Sequence, residues 1–304
     1  MARKIVVMSN CQTGGLHAAL AAMLPEDLVT SLPWLGTEPP GLRAELAEAA
    51  VWVCSIPREQ AEAIAVEAGV SPRIIVVPTI WFPAFHPDQT PILWRRGGEV
   101  EGALGPYHSK ICVWGWTHGF DVDAVLGCFT PEVFAGLGYF EAWSHATVAL
   151  RAIFEPTDID FASWFLPLGR RGAFMLTNNH PRLDALVQLA RLVAEQLGAA
   201  PELVRYGWEQ VLPDGLLASS VVWPLYPSVA DVLDLPGAYV WRLASGELID
   251  LPTFVARSMA SYVSISPDAL NLDQFETDPR FAVVLGTEPP IASASPAAAP
   301  VGGR

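Results

Sequence analysis

The chain has 304 residues, 51% of them hydrophobic, and sets 32 acidic against 18 basic side chains for a formal net charge of −14. That length can bury a substantial core in one large domain or two closely joined ones, and so acidic a composition excludes non-specific binding to nucleic acid or to anionic membranes, which calls for basic patches. No run of about 18 uninterrupted apolar residues occurs, so no membrane-spanning or membrane-inserted helix is expected.

From the N-terminus, Arg3-Lys4 followed by IVVM has the start of a secretory leader, but Asn10, Gln12 and the pair Gly14-Gly15 interrupt the apolar stretch too early. A cytoplasmic protein acting on precursors before export is the expectation. Apolar periodicity predicts strands over residues 4–8, 28–31, 51–54 and 73–77, separated by helices over 15–24, 41–49 and 58–68. This alternation predicts an α/β fold in which residues 1–80 form a Rossmann-like unit on a parallel sheet. The first strand is not followed by GxGxxG, which argues against a dinucleotide cofactor. After Pro78 the regular alternation stops, and a long segment rich in Pro, Gly and aromatics runs to Ser109; a loop of that length in a compact domain usually binds something. Helices are then expected over 121–128, 131–137 and 139–154, a short strand over 174–177, and helices over 181–197 and 251–262. Residues 81–288 thus read as a mainly helical, loop-rich region completing the same domain, and residues 289–304, a low-complexity Ala/Pro/Ser tail, as disordered.

Three constellations carry candidate chemistry. Ser9-Asn10-Cys11-Gln12 puts a thiol in a strand-to-helix turn, at the carboxyl edge of a parallel sheet where ligands usually bind. The helix dipole is expected to lower the Cys11 pKa, and the Asn10 and Gln12 amides are candidate oxyanion donors. A cysteine that only fills a tight turn is the bland alternative. His86 and Asp88, held between prolines, suit an imidazole oriented for general-base work, or else a loop histidine solvated by its neighbour. Asn178-Asn179-His180 lies before the 181–197 helix, where an asparagine is by default a cap and a neutral histidine is a second candidate base. The doublets Arg95-Arg96 and Arg170-Arg171, with Lys110, could grip phosphates or be solvated surface pairs. Eleven tryptophans, Trp81, Trp94, Trp114 and Trp116 among them, could line an apolar or sugar-binding cleft, though more often such rings are core. Cys11, Cys54, Cys112 and Cys128 lie far apart with no CxxC, and the six histidines include no HExxH, so free thiols and no metal are expected.

Taken in order, SNCQ, IIVVPTIWFPAFHPD, GPYHSKICVWGWTHGF, GYFEAW, NNHPRLDALVQLA and VVWPLYPSVADVL resemble segments of the WcbI family of capsular-polysaccharide biosynthesis proteins, acetyltransferases that bind coenzyme A. Ser9 stands where that family's GNCQ has glycine, and Thr79 where asparagine is expected. The resemblance implies acetyl transfer from acetyl-CoA, as substrate, to a sugar hydroxyl, in a cradle-like pocket, with a partner enzyme of the same pathway. Cys11 would be the nucleophile or pack beside the thioester, His86 with Asp88 or else His180 would be the base, and Asn10, Gln12 and Asn179 would hold oxyanion or substrate. Gly14, Gly15, Tyr107, His108, Ser109, Lys110, Arg95 and Arg96 would face CoA. An esterase resembling the SGNH hydrolases and a non-catalytic CoA- or glycan-binding module are the alternatives.

Overall fold

The computed structural model describes residues 2–288, so the tail expected to be disordered lies outside the described residues. The chain divides into two compact units. Among the described residues, one comprises 2–89 together with 138–250, the other 90–137 together with 251–288.

The first unit is built on the expected parallel sheet. Its strands are β1 (Lys4–Ser9), β2 (Leu28–Pro33), β3 (Val51–Cys54) and β4 (Arg73–Val76), hydrogen-bonded in the order β2-β1-β3-β4. The crossovers carry helices α1 (Thr13–Met23), α2 (Leu42–Ala47) and α3 (Arg58–Ala68). Ile5, Val6, Val7 and Met8 of β1 are all fully buried, as a central parallel strand covered on both faces must be. Alternate residues sort to one face: Val6, Met8, Trp52, Cys54 and Val76 share a core with Leu42 and Leu46 of α2 and with Ala61 and Ile64 of α3. α1 packs against the Leu183–Gln196 helix, and the contact is so close that a Cβ on Gly15 would collide with Leu186 Cδ1.

The long segment after β4 does not run over the surface throughout. Residues Phe82, Ala84, Phe85, His86, Asp88 and Gln89 are buried, and Phe82 and Phe85 pack edge-on and stacked with Trp143, Phe165 and Phe174 from the surrounding helices and loops. Its aromatics drive it inward: a chain rich in Phe and Pro finishes a core without regular structure. The strand expected at 174–177 is a single bridge between Met175 and Pro181. In the second unit, the helices Lys110–Thr117, Val122–Gly127 and Pro131–Gly136 each start on a side-chain cap, Ser109, Asp121 and Thr130, that accepts a backbone N–H three residues on. No helix among the described residues is long and apolar enough to cross a membrane.

Candidate active site

The turn that carries Cys11 is wound by its own side chains. The Thr13 hydroxyl accepts the Ser9 N–H at 3.0 Å and donates to the Asn10 carbonyl at 2.7 Å, while Asn10 Oδ1 accepts the Gln12 N–H at 3.1 Å. Asn10 Nδ2 has no hydrogen-bond partner among the described residues, so its donors are open beside the sulfur. Cys11 is exposed, whereas Cys54 and Cys112 are buried and Cys128 is half-buried; all four are free thiols. The expected lowering of the Cys11 pKa is not found. Desolvation by the surrounding protein pushes it up, offset in part by its own backbone N–H, and no charged side chain contributes. The reason is the surroundings: a helix end alone does not outweigh desolvation when neither Lys, Arg nor a protonated His faces the sulfur.

Gln12 is not an oxyanion donor. Its buried side chain bonds Ile80 in both directions, Nε2 to the Ile80 carbonyl at 3.0 Å and Oε1 from the Ile80 N–H at 3.2 Å, and Nε2 also donates to the Asn179 carbonyl at 3.4 Å. With both amide hydrogens spent, Gln12 clamps the Cys11 turn to two remote loops. The Asn179 loop is held in turn by Thr177, whose hydroxyl donates to Asn179 Oδ1 at 2.9 Å and accepts the His180 N–H at 3.2 Å. Asn178 is no helix cap either; its N–H and Nδ2 bond Gln89, and Arg182 takes the cap position.

His86 and Asp88 do not form the expected pair. His86 Nδ1 donates to the Pro224 carbonyl at 3.3 Å, and its Nε2 has no partner among the described residues. Asp88 is fully buried and accepts the Tyr139 hydroxyl at 2.9 Å and the Tyr226 hydroxyl at 2.8 Å, one on each oxygen. Burial holds the His86 pKa down at about 4, with the Arg182 charge adding to it against the opposing Pro224, Met175 and Phe85 backbone carbonyls. The imidazole is neutral but walled in. His180 is half-buried, shifted down by desolvation alone, and one residue from the clamped Asn179. Of the two histidines, only His180 is joined to the Cys11 turn through Gln12.

Most of the residues expected to face CoA have partners within the protein. Gly15 is a packing glycine, while a Cβ on Gly14 would meet nothing. In the second unit His108 is core: Nε2 donates to the Val100 carbonyl at 2.9 Å and Nδ1 accepts from Tyr262 at 2.8 Å. Ser109 is spent as a helix cap, Arg95 Nε donates to the Asp268 carbonyl at 3.1 Å, and Arg96 lies over the Trp94 ring. Tyr107 and Lys110 are half-buried, and Lys110 is close enough to lower the Asp278 pKa. The sequence reading missed Arg182, whose guanidinium makes no ion pair among the described residues and whose Nε is buried without a partner. A lone Arg between Pro181 and a helix was its only signal. A cleft of about 400 Å³ opens at the carboxyl ends of β3 and β4, lined by Ile56, Pro57, Val76, Pro78, Thr79 and Ile153 among others, and Thr79 leads directly into the clamped Ile80. Among the described residues no cluster of His, Cys, Asp and Glu could hold a metal ion.

A family described as "Polysaccharide biosynthesis enzyme WcbI" matches residues 4–202. A solved structure of WcbI, described as a novel polysaccharide biosynthesis enzyme, in native form without a disulfide bond between CoA and a cysteine, superposes with a TM-score of 0.73. The match covers 94% of this chain and 99% of that one at 15% identity, a likeness of fold. No curated protein sequence matches the chain.

Proposed function

The chain belongs to the WcbI family of polysaccharide biosynthesis enzymes, and from that premise we propose that it is a CoA-dependent acyltransferase, moving an acetyl group from acetyl-CoA to a saccharide hydroxyl. The observation that carries the reading is the Cys11 turn: an exposed thiol at the carboxyl end of β1, an open Asn10 amide beside it, and His180 tied to it through Gln12 and Asn179. The solved WcbI structure, a native form without a disulfide bond between CoA and a cysteine, supports a CoA site at such a thiol.

In the route we favour, neutral His180 takes the proton of the acceptor hydroxyl, the alkoxide attacks the thioester carbonyl, and the Asn10 amide stabilises the resulting oxyanion. The C–S bond then breaks, the acetyl group stays on the saccharide, and CoA leaves as a thiol with the proton returned by His180. Cys11 lies beside the thioester sulfur. The competing route, in which Cys11 itself carries the acetyl group, is favoured by its being the exposed cysteine and disfavoured by its raised pKa. Ping-pong kinetics would mark the second route. Arg182, which makes no ion pair among the described residues, is the cation we assign to donor phosphates in place of Arg95 and Arg96. The reaction would run on cytoplasmic precursors alongside a partner enzyme of the same pathway.

Calorimetric titration with CoA, acetyl-CoA and NAD tests this. Micromolar binding of the CoA species but not NAD is expected. Absence of CoA binding sinks the reading, and hydrolysis of a chromogenic ester by the same preparation would then identify a deacylase.

A further inference from the structure

Of the eleven tryptophans, Trp81 differs from the rest in how it is held. Trp52, Trp114, Trp164, Trp223 and Trp241 are core, and Trp94, Trp116, Trp143 and Trp208 each meet another ring or a cation. Trp34 is partly buried against the sheet core. Trp81 is 41% exposed and makes no ring contact or hydrogen bond among the described residues. Its two neighbours are each 0% exposed. Both are pinned: Ile80 by its N–H and carbonyl to Gln12, Phe82 by its N–H to the Asn178 carbonyl at 2.8 Å. The backbone is therefore fixed on both sides of an indole that points outward, next to the loops that carry Cys11 and His180. A large apolar ring left partly in water on a rigid support is a preformed stacking surface.

We propose that Trp81 is the platform for the acceptor saccharide, stacking its indole on the C–H face of a pyranose ring. The polar groups around it suit a neutral polyol. Asn10 Nδ2 is open, and the Thr79 hydroxyl, two residues before Trp81 on the cleft wall, makes no hydrogen bond among the described residues. Hydroxyls of a stacked sugar are the natural partners of such an amide and hydroxyl. The assignment rests on the acyltransfer reading in one respect, that the stacked ring belongs to the acceptor.

Saturation-transfer NMR of the full chain with methyl pyranosides of glucose, galactose and mannose tests it, on the wild type, Trp81→Ala and Trp81→Phe, beside calorimetric CoA titration of all three. Saturation of pyranoside ring protons is expected in the wild type, reduced about fivefold or more in Trp81→Ala and retained within about twofold in Trp81→Phe, with CoA affinity unchanged. No pyranoside saturation in the wild type, or the same saturation in Trp81→Ala, overturns the proposal. So does CoA binding weakened in Trp81→Ala, which would assign the ring to the donor's adenine. If CoA fails to bind while pyranoside saturation still depends on Trp81, the platform stands and the donor reading falls. Because the ring is exposed, both variants are expected to keep the wild-type circular dichroism and melting temperature.

Discussion

His86 and His180 carry the same imidazole into different surroundings, and substitution should separate them. His180→Ala is expected to melt as the wild type does and to lose about 10²-fold or more in kcat, the scale of a missing general base. His86→Ala should instead lose about 2–4 kcal/mol in urea denaturation, because it empties a fully packed position and leaves the Pro224 carbonyl without its donor. Equal loss of activity from two equally stable variants would contradict this assignment. Cys11→Ala should abolish transfer if the acetyl group passes through sulfur and only weaken it if transfer is direct, while Cys54→Ala and Cys128→Ala, at thiols that burial also pushes up, keep it. At this scale the sequence shows which residue types stand where, but not what each one bonds. The thiol in the strand-to-helix turn was legible because β1 and α1 are strongly patterned. The His86-Asp88 spacing was misleading because two distant hydroxyls, Tyr139 and Tyr226, outcompete the imidazole for the carboxylate. Only the tertiary fold brings them there.

The paired glycines of α1 make the point for whole elements. Gly14 faces open space inside a helix, so Gly14→Ala should stabilise by about 0.5–1 kcal/mol through helix propensity. Gly15→Ala drives a Cβ into Leu186 and should cost about 1–3 kcal/mol by separating α1 from the Leu183–Gln196 helix. Thermal melts of the two variants, which differ by one position, check both the sign and the order. If Gly14→Ala also weakens CoA binding, the ligand approaches the first turn of α1. The four strands and three helices of the parallel sheet were readable from the apolar pattern, within two residues at each end, because residues 5–8 of β1 and all of β3 are continuous apolar runs and helical stretches separate the strands. The 82–90 segment was not readable. Its two prolines mark a loop in any local scheme, and the burial of Phe82 and Phe85 depends on Trp143, Phe165 and Phe174 from later in the chain.

For the whole molecule, acid is the revealing perturbant. His86, His108 and His180 all have pKa values lowered in the fold, mainly by desolvation. A lowered histidine pKa means that the unfolded chain binds more protons as pH falls below 6.5, so stability is full above that value and declines toward the folded pKa. For His86, falling from 6.5 to about 4, the linkage is roughly 3 kcal/mol. Asp27, Glu38 and Asp278 are lowered by their arginine partners, and their contribution disappears only at lower pH, as they are protonated in turn. Urea midpoints measured across pH should therefore fall in two stages, and His86→Asn should flatten the first. A midpoint independent of pH between about 4 and 6.5 would contradict the neutral, buried state of His86. The acidic composition read from the sequence says nothing of this, because it counts carboxylates and not the desolvated imidazoles. The Gln12 carboxamide reaches Ile80 across 68 residues and Asn179 across 167. Closing loops of those spans is entropically costly and slow relative to local helix formation. The turn around the sulfur can take shape early, but its surroundings exist only after both ends have been gathered, so catalytic competence should emerge as one of the last events of folding, with recovered activity trailing recovered helicity in a refolding experiment.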